Sequence, residues 1–134
     1  MGATDAPRCL NVTEAATFSP DARVNREIMA TDTLVTRMNC YEPGQVTPMH
    51  LHPGEDEIIY IVEGSGAIAF QDREDLPFKA GDLLCLPGDQ FHSIVAGPDG
   101  RTVLIYFMSP DYQSVRPAKT DSVQARTGLP GERV

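Results

Sequence analysis

The sequence predicts an all-β fold, an antiparallel sandwich or barrel, from the length, spacing and punctuation of its apolar runs. From about Thr33 to Met108, runs of about five to nine residues are separated by short stretches rich in Gly, Pro and Asp. Such spacing is typical of strands and turns, with one face of each sheet buried. The candidate strands are TLVTRMNCY, EIIYIV, GAIAF, DLLCLP, FHSIV and TVLIYFM.

The 134 residues are the length of one ordinary domain, here divided into an arm, a barrel and a tail. Residues 1–32 form an N-terminal arm with a weak strand candidate, RCLNVTEAATF, followed by the polar stretch SPDARVNRE; we expect an edge strand here. Residues 33–108 form the barrel. Residues 109–134 hold few large apolar side chains, so we expect a polar tail that is disordered or lies on the domain surface.

The charge of the chain excludes several kinds of partner. Eleven Lys and Arg residues against nineteen Asp and Glu residues give a net charge of -8, which repels nucleic acid and anionic lipid surfaces. No apolar run is long enough for a signal peptide or a membrane span. We therefore expect a cytoplasmic protein that binds neither nucleic acid nor membrane.

The three cysteines, Cys9, Cys40 and Cys85, are odd in number and far apart, which favours free thiols over disulfides. Cys40 and Cys85 lie in apolar runs. Both are therefore predicted to be small core residues.

Two of the three histidines lie together in the stretch HLHPGEDE. If this stretch is a strand, His50 and His52 leave the same face and both can bind one metal ion. Glu55, Asp56 and Glu57 each offer a carboxylate, and the local pattern does not choose among them because Pro53-Gly54 turns the chain. Glu57 directly precedes the apolar run IIYIV, where a sheet would hold its side chain.

The third histidine, His92, follows the turn Pro87-Gly88-Asp89 and opens the strand FHSIV. A sandwich can bring it opposite the first pair. Three imidazole nitrogens and one carboxylate suit one divalent transition metal ion, Fe(II), Zn(II), Mn(II), Ni(II), Co(II) or Cu(II). A six-coordinate ion would keep two positions open.

These residues resemble the two sequence motifs of the cupin superfamily. The first motif, G-x5-H-x-H-x3/4-E-x6-G, favours Glu57 over Asp56, because counting from Asp56 leaves seven residues before the last glycine. It is matched by Gly44, His50, His52, Glu57 and Gly64. The second, G-x5-P-x-G-x2-H-x3-N, is matched by Gly81, Pro87 and His92, whereas Asp89 and Ala96 replace the usual glycine and asparagine.

The resemblance implies a small single-domain cupin with a jelly-roll (double-stranded β-helix) barrel. It also implies a metal site of the three-His-one-Glu type, formed by His50, His52, Glu57 and His92. The departure at Asp89 leaves the shape of the turn before His92 open. Small cupins commonly form homodimers, often through an edge strand or the N-terminal arm, and we expect the same here.

Alternation predicts part of the wall around this site. Ile59 and Ile61 share the face of Glu57, and Ile94 shares the face of His92. For the strand TLVTRMNCY two faces compete. The slightly preferred one turns Leu34, Thr36, Met38 and Cys40 inward; the other turns Val35, Arg37, Asn39 and Tyr41 inward, placing a cation and a phenol near the metal, as suits an anionic substrate.

The resemblance implies a metal-dependent enzyme that acts on a small organic molecule. An Fe(II) dioxygenase of diketone, enediol or phenolic substrates is favoured. One alternative is a redox-neutral cyclase, isomerase or lyase, for which Tyr41, Tyr60 and Tyr106 are candidate acids or bases. Another is a binding protein without catalysis.

Overall fold

A computed structural model describes residues 6–118, which form nine β-strands and one short helix. The elements are α1 Val12–Ala15, β1 Val24–Ala30, β2 Val35–Tyr41, β3 Val46–His50, β4 Glu57–Glu63, β5 Ser65–Phe70, β6 Leu76–Lys79, β7 Leu83–Leu86, β8 His92–Ala96 and β9 Thr102–Met108. The all-β prediction is confirmed, and all six candidate strands are present, as β2, β4, β5, β7, β8 and β9.

The strands form two antiparallel sheets. One has five strands in the order β1-β2-β9-β4-β7, and the other has four in the order β3-β8-β5-β6. Apolar side chains from both sheets meet in one core that includes Ile59, Ile61, Ile68, Ile94 and Leu104. The predicted inward positions of Ile59, Ile61 and Ile94 are therefore confirmed.

Three strands, β1, β3 and β6, were not among the candidates. Strands β3 and β6 each contain a proline, Pro48 or Pro77, which has no N–H to donate to a neighbouring strand. Both strands lie at the edges of the four-stranded sheet, where one side of the backbone has no partner strand. An edge is the place where a sheet accepts proline, so the break in the apolar pattern did not prevent pairing.

The strand predicted within RCLNVTEAATF is wrong. Val12–Ala15 is a helix, and the side chain of Asn11 accepts a hydrogen bond of 2.9 Å from the backbone N–H of Glu14. The edge strand is instead β1, which begins within the stretch predicted to be polar. The segment from α1 to Phe18 packs with Met38, Cys40 and Val103.

The preferred orientation of β2 is also wrong. Val35 and Tyr41 belong to the core between the sheets, whereas Met38 and Cys40 pack beneath α1 on the outer face of the five-stranded sheet. Leu34 is 56% exposed. The N-terminal arm buries the outer face, so apolar side chains occupy both faces of β2 and alternation did not distinguish them.

Cys40 is buried as predicted, but the core position predicted for Cys85 is wrong. Cys85 is an exposed free thiol on β7, whose alternation turns Leu84 and Leu86 inward. The outer face of an antiparallel sheet can face water, so an apolar run need bury only one of its two faces. The three cysteines, all within the described residues, are free thiols, as predicted.

The first ten residues of the predicted tail, 109–118, are described, whereas residues 119–134 lie outside the described part. Val115 forms an isolated antiparallel bridge with Leu51 next to β3. The proposed boundaries at residues 32 and 108 stay predictions, as does the homodimer. Within residues 6–118, no helix has the length and apolar character needed to cross a membrane.

Candidate metal centre

The two sheets bring the four predicted ligands to one place. His50 ends β3 and pairs directly with His92, which begins β8 of the same sheet. Glu57 begins β4 in the other sheet, and His52 follows β3 by two residues. One ligand atom from each residue lies within 4.8 Å of the others, and all four side chains are buried. The convergence predicted from the sequence is therefore present.

Backbone carbonyls fix the orientation of all three imidazole rings. The Nδ1 atoms of His50 and His92 lie 2.7 and 3.0 Å from the carbonyl oxygens of Pro48 and Gln90, respectively. The Nδ1 atom of His52 lies 2.8 Å from the carbonyl oxygen of Gln113. A carbonyl only accepts, so each Nδ1 carries the proton and each neutral ring has its lone pair at Nε2.

Three atoms that face the centre of the cluster are buried without a hydrogen-bond partner: His52 Nε2, His92 Nε2 and Glu57 Oε1. Glu57 Oε1 lies 3.4 Å from each of these nitrogens, which is longer than a charge-assisted hydrogen bond. Two donors at about 2.1 Å from one ion are about 3 to 4 Å apart. A divalent ion at the centre would satisfy all three atoms, so the donor set fits a metal.

The electrostatics favour the protonation states that a metal needs at two of the ligands. Burial raises the pKa of Glu57, but the imidazoles of His52 and His92 outweigh it and hold this pKa at about 2. Burial, with the neighbouring His92 and His52, lowers the pKa of His50 well below its ordinary value. Glu57 is thus a carboxylate and His50 a neutral base at neutral pH.

His52 behaves differently. Burial lowers its pKa, but the carboxylate of Glu57 and the Gln113 carbonyl outweigh burial, so the pKa lies above the ordinary value. In the absence of metal, His52 therefore holds a proton more firmly than an ordinary histidine. At a pH below the pKa of His52, a metal ion must displace this proton.

The turn before His92 keeps the shape that glycine gives, although Asp89 occupies the position. Asp89 has φ 66° and so adopts the left-handed conformation, which aspartate accepts more readily than most residues. Its backbone N–H donates to the His52 carbonyl, and its Oδ1 accepts from the backbone N–H of Gly54 at 3.0 Å. Asp89 therefore ties the two motif loops together.

A polar network reaches the same cavity through Asn25, Asn39 and Tyr106, and the sequence did not predict it as a network. Arg37 donates twice to Asn25 Oδ1, at 2.9 and 2.6 Å, and Asn25 Nδ2 donates to Asn39 Oδ1 and to the Tyr106 hydroxyl, at 2.6 and 2.8 Å. Asn39 Nδ2 in turn donates to the Tyr41 hydroxyl at 3.1 Å. The cavity is lined by Arg23, Asn25, Asn39, Thr47, His50, His52, Glu57, Ile94 and Tyr106.

The cavity residues Arg23, Asn25 and Thr47 carried no signal in the sequence, because none belongs to a motif. Asn25 reaches the site through the direct pairing of β1 with β2, where it faces Asn39. The apolar residues in VNREIMA could have indicated the strand β1 itself, but the polar residues between them obscured the pattern. Tyr60, a predicted acid or base, is 38% exposed and does not line the cavity.

The family model of the cupin domain, Cupin_2, matches residues 37–108, a segment that contains all four ligands. The chain belongs to the cupin family. The predicted jelly-roll barrel of this cupin is thereby confirmed, with its two antiparallel sheets and the cluster of three histidines and one glutamate.

Curated relatives resemble this cupin over parts of their length. A germin-like protein of Morus alba is 35% identical over 74 residues, which cover 52% of this chain and 35% of that protein. Polyketide synthase CurC of Streptomyces cyaneus is 31% identical over 68 residues, which cover 51% of this chain and 44% of that protein. The chain thus spans less than half the length of these relatives.

Among solved structures, the polyketide cyclase RemF of Streptomyces resistomycificus superposes with a TM-score of 0.69 at 20% sequence identity. The superposition covers 93% of this cupin and 95% of that chain. At 20% sequence identity, this structural similarity shows that the two proteins share a fold and nothing further.

Proposed function

We propose that this cupin is a metal-dependent enzyme whose substrate is a small organic molecule with an anionic or enolisable oxygen. The observation that carries the proposal is the polar wall beside the metal donors, where Asn39 of β2 lines the cavity. Arg37 and Tyr41 do not line it but are hydrogen-bonded to the lining residues Asn25 and Asn39. The redox-neutral class of reaction, cyclisation, isomerisation or elimination, is the one this polar wall supports best.

Charge is the first argument for an anionic group. The chain carries a net charge of -8, yet Arg23, 7% exposed, lines the cavity, and Arg37 donates into its wall. Glu57 is the one carboxylate among the lining residues. With a divalent ion, the site holds more positive than negative charge, and a low-dielectric wall strengthens its attraction for an anion.

Hydrogen-bond donors are the second argument. Burial raises the pKa of Tyr41, and burial together with Tyr112 raises the pKa of Tyr106. Both hydroxyls therefore keep their protons and do not act as bases. Tyr106 lines the cavity and can donate to a substrate, whereas the Tyr41 hydroxyl is bonded to Asn39 and Thr47. A donor such as Tyr106 stabilises the oxygen of a carbonyl that gains negative charge when a proton leaves the neighbouring carbon.

A divalent ion bound by the four ligands would supply Lewis acidity, polarising a carbonyl oxygen. The chain's own contribution is to hold the donors and exclude water. The space free for water-sized molecules in the cavity is about 10 Å³, room for about one water. A substrate therefore enters with movement of the lining side chains.

The similarity to the polyketide synthase CurC supports a substrate of this kind, and the polyketide cyclase RemF shares the fold. Polyketide intermediates contain the enolisable carbonyls that the site suits. A second candidate is the Fe(II) dioxygenase of diketone, enediol or phenolic substrates. The donor set favours it, because three imidazoles and one carboxylate leave room on a six-coordinate Fe(II) for two more ligands.

Oxygen dependence distinguishes the two candidates. The metal-free protein is loaded separately with Zn(II) and Fe(II), then incubated with poly-β-ketone, diketone and enediol compounds with and without oxygen. We expect metal-dependent product under nitrogen, seen by mass spectrometry, and none with His52→Ala. Product that requires Fe(II) and consumes oxygen would favour the dioxygenase. Metal binding without any turnover would contradict both and favour a binding protein.

A further inference from the structure

Residues Asp111–Val115, called the strap below, run beside the metal centre although they lie outside the region that matches the family model. Leu51 and Val115 exchange two backbone hydrogen bonds, each of 2.9 Å. The side chain of Val115 is 45% exposed, so the strap is held at this point by its backbone. Leu51 is the residue between His50 and His52. The strap is thus fastened directly to the segment that carries two ligands.

The strap makes three contacts with His52. The Gln113 carbonyl accepts from His52 Nδ1 at 2.8 Å, and Ser114 Oγ lies 3.3 Å from the same nitrogen. The ring of Tyr112 stands edge-on to the imidazole, with 5.4 Å between ring centroids and an interplanar angle of 83°. Together these contacts fix the tautomer and the orientation of this ring.

Of the three histidines, only His52 relies on the strap for the orientation of its ring. His50 and His92 each use a carbonyl two residues earlier in their own segment, so forming the β3–β8 ladder also orients their rings. The acceptor for His52 is 61 residues away in the chain. Loss of the strap would therefore free one ligand and leave the other two oriented.

We propose that the strap is a positioning element of the metal centre: it holds His52 with its proton on Nδ1 and its lone pair aimed at the ion. Without the Gln113 acceptor, the ring rotates and the second tautomer, which directs a proton rather than a lone pair at the ion, becomes accessible. The strap thereby sets metal affinity without supplying a ligand atom.

The test compares Val115→Pro with Val115→Ala in the full chain. Proline removes the N–H that donates to Leu51, whereas alanine keeps it and shortens a half-exposed side chain. Because a released strap takes the Gln113 carbonyl away from His52, Val115→Pro acts through loss of the outer hydrogen bond to this ligand. We expect it to weaken Zn(II) binding about 10- to 100-fold in competition with a chelating dye, the effect of losing such a bond. Val115→Ala should stay within about twofold of the unchanged protein.

A second readout separates positioning from general destabilisation. In the Zn(II)-loaded protein, the Nδ1–H proton of His52 should exchange slowly with solvent in nuclear magnetic resonance spectra. In Val115→Pro it should exchange faster, while those of His50 and His92 keep their protection. Tyr112→Ala should give the same selective loss, and Tyr112→Phe, which keeps the ring, should restore slow exchange.

Equal Zn(II) affinity and equal Nδ1–H exchange in Val115→Pro and the unchanged protein would overturn the proposal. A loss of protection at all three histidines would also overturn it, because it would show general loosening. If the unchanged protein binds no Zn(II), the metal centre itself is wrong and the strap has no ligand to position. None of these outcomes depends on catalytic turnover.

Discussion

His50 and His92 are direct partners across the β3–β8 ladder, with their ring centroids 4.4 Å apart. The two imidazoles lie side by side in one sheet, and burial together with the neighbouring histidines opposes protonation of His50. They form one rigid half of the candidate metal centre. The other half comes from Glu57 in the facing sheet and from His52 after β3. The site therefore depends on the barrel being closed.

His92→Ala should abolish tight metal binding, because it removes one of four donors that no neighbouring side chain replaces. We expect Zn(II) affinity to fall by more than about 100-fold, beyond the loss seen for outer hydrogen bonds. Isothermal titration calorimetry measures it. Tyr60→Phe, a change on a residue 38% exposed and away from the cavity, is the control and should bind as before. Unchanged affinity in His92→Ala would contradict the assigned donor set.

Metal binding should weaken as the pH falls. His52 has a pKa above its ordinary value in the metal-free protein, so below that pKa each bound ion must release a proton from this ring. The apparent affinity is therefore full above the pKa of His52 and declines below it. Calorimetry in buffers of different ionisation enthalpy counts the released protons. Proton release that begins only below the ordinary pKa of histidine would contradict the raised pKa of His52.

Glu57→Gln should lower the pKa of His52 in the metal-free protein. Burial already lowers this pKa, and the Glu57 carboxylate is the main effect that raises it, so an uncharged amide leaves burial to dominate. The shift is read from the imidazole resonances during a pH titration. Asp56→Asn, which neutralises an acid on the loop next to Glu57, is the matched control and should leave the pKa of His52 nearly unchanged.

Asp89→Ala should destabilise the protein more than Asp89→Gly. Both lose the hydrogen bond to Gly54, but only alanine is strained at φ 66°, by about 1 to 2 kcal/mol. Urea denaturation gives the two free energies of unfolding. Equal values would show that the turn relaxes when the side chain is lost.

Tyr41→Phe should destabilise the barrel by about 1 to 3 kcal/mol, because it leaves buried polar partners unsatisfied. The Tyr41 hydroxyl lies 2.7 Å from Thr47 Oγ1 and accepts from Asn39 Nδ2 at 3.1 Å. Tyr60→Phe, on the outer face, should change stability by less than about 0.5 kcal/mol. Thermal unfolding of the metal-free proteins compares them, and equal stabilities would contradict the assigned network.

The candidate metal ligands could be predicted from sequence because their signal is local and their spacing is strict. The step from Glu57 to Gly64 favoured Glu57 over Asp56, and the structure places the Glu57 carboxylate within the cluster. The sequence carried no comparable signal for which face of β2 turns inward. Its outer face is buried by Val12, Phe18 and their neighbours, so the apolar residues Met38 and Cys40 resembled an inner face.

The remaining parts of the site could not be read from the sequence, for physical reasons. Asn25 reaches the cavity through a strand pairing that only the folded sheet defines. The Gln113 contact uses a backbone carbonyl, and every residue has one, so the identity of the side chain carries no information. Asp89 looked like a departure from the motif, yet its left-handed φ reproduces the turn that glycine would form.

Anomalous diffraction from crystals grown with Zn(II) would locate the ion itself. We expect one strong anomalous peak per chain, about 2.0 to 2.2 Å from the Nε2 atoms of His50, His52 and His92 and from a Glu57 carboxylate oxygen. No peak among these residues, with the imidazoles hydrogen-bonded to one another or to water, would contradict the assigned metal centre.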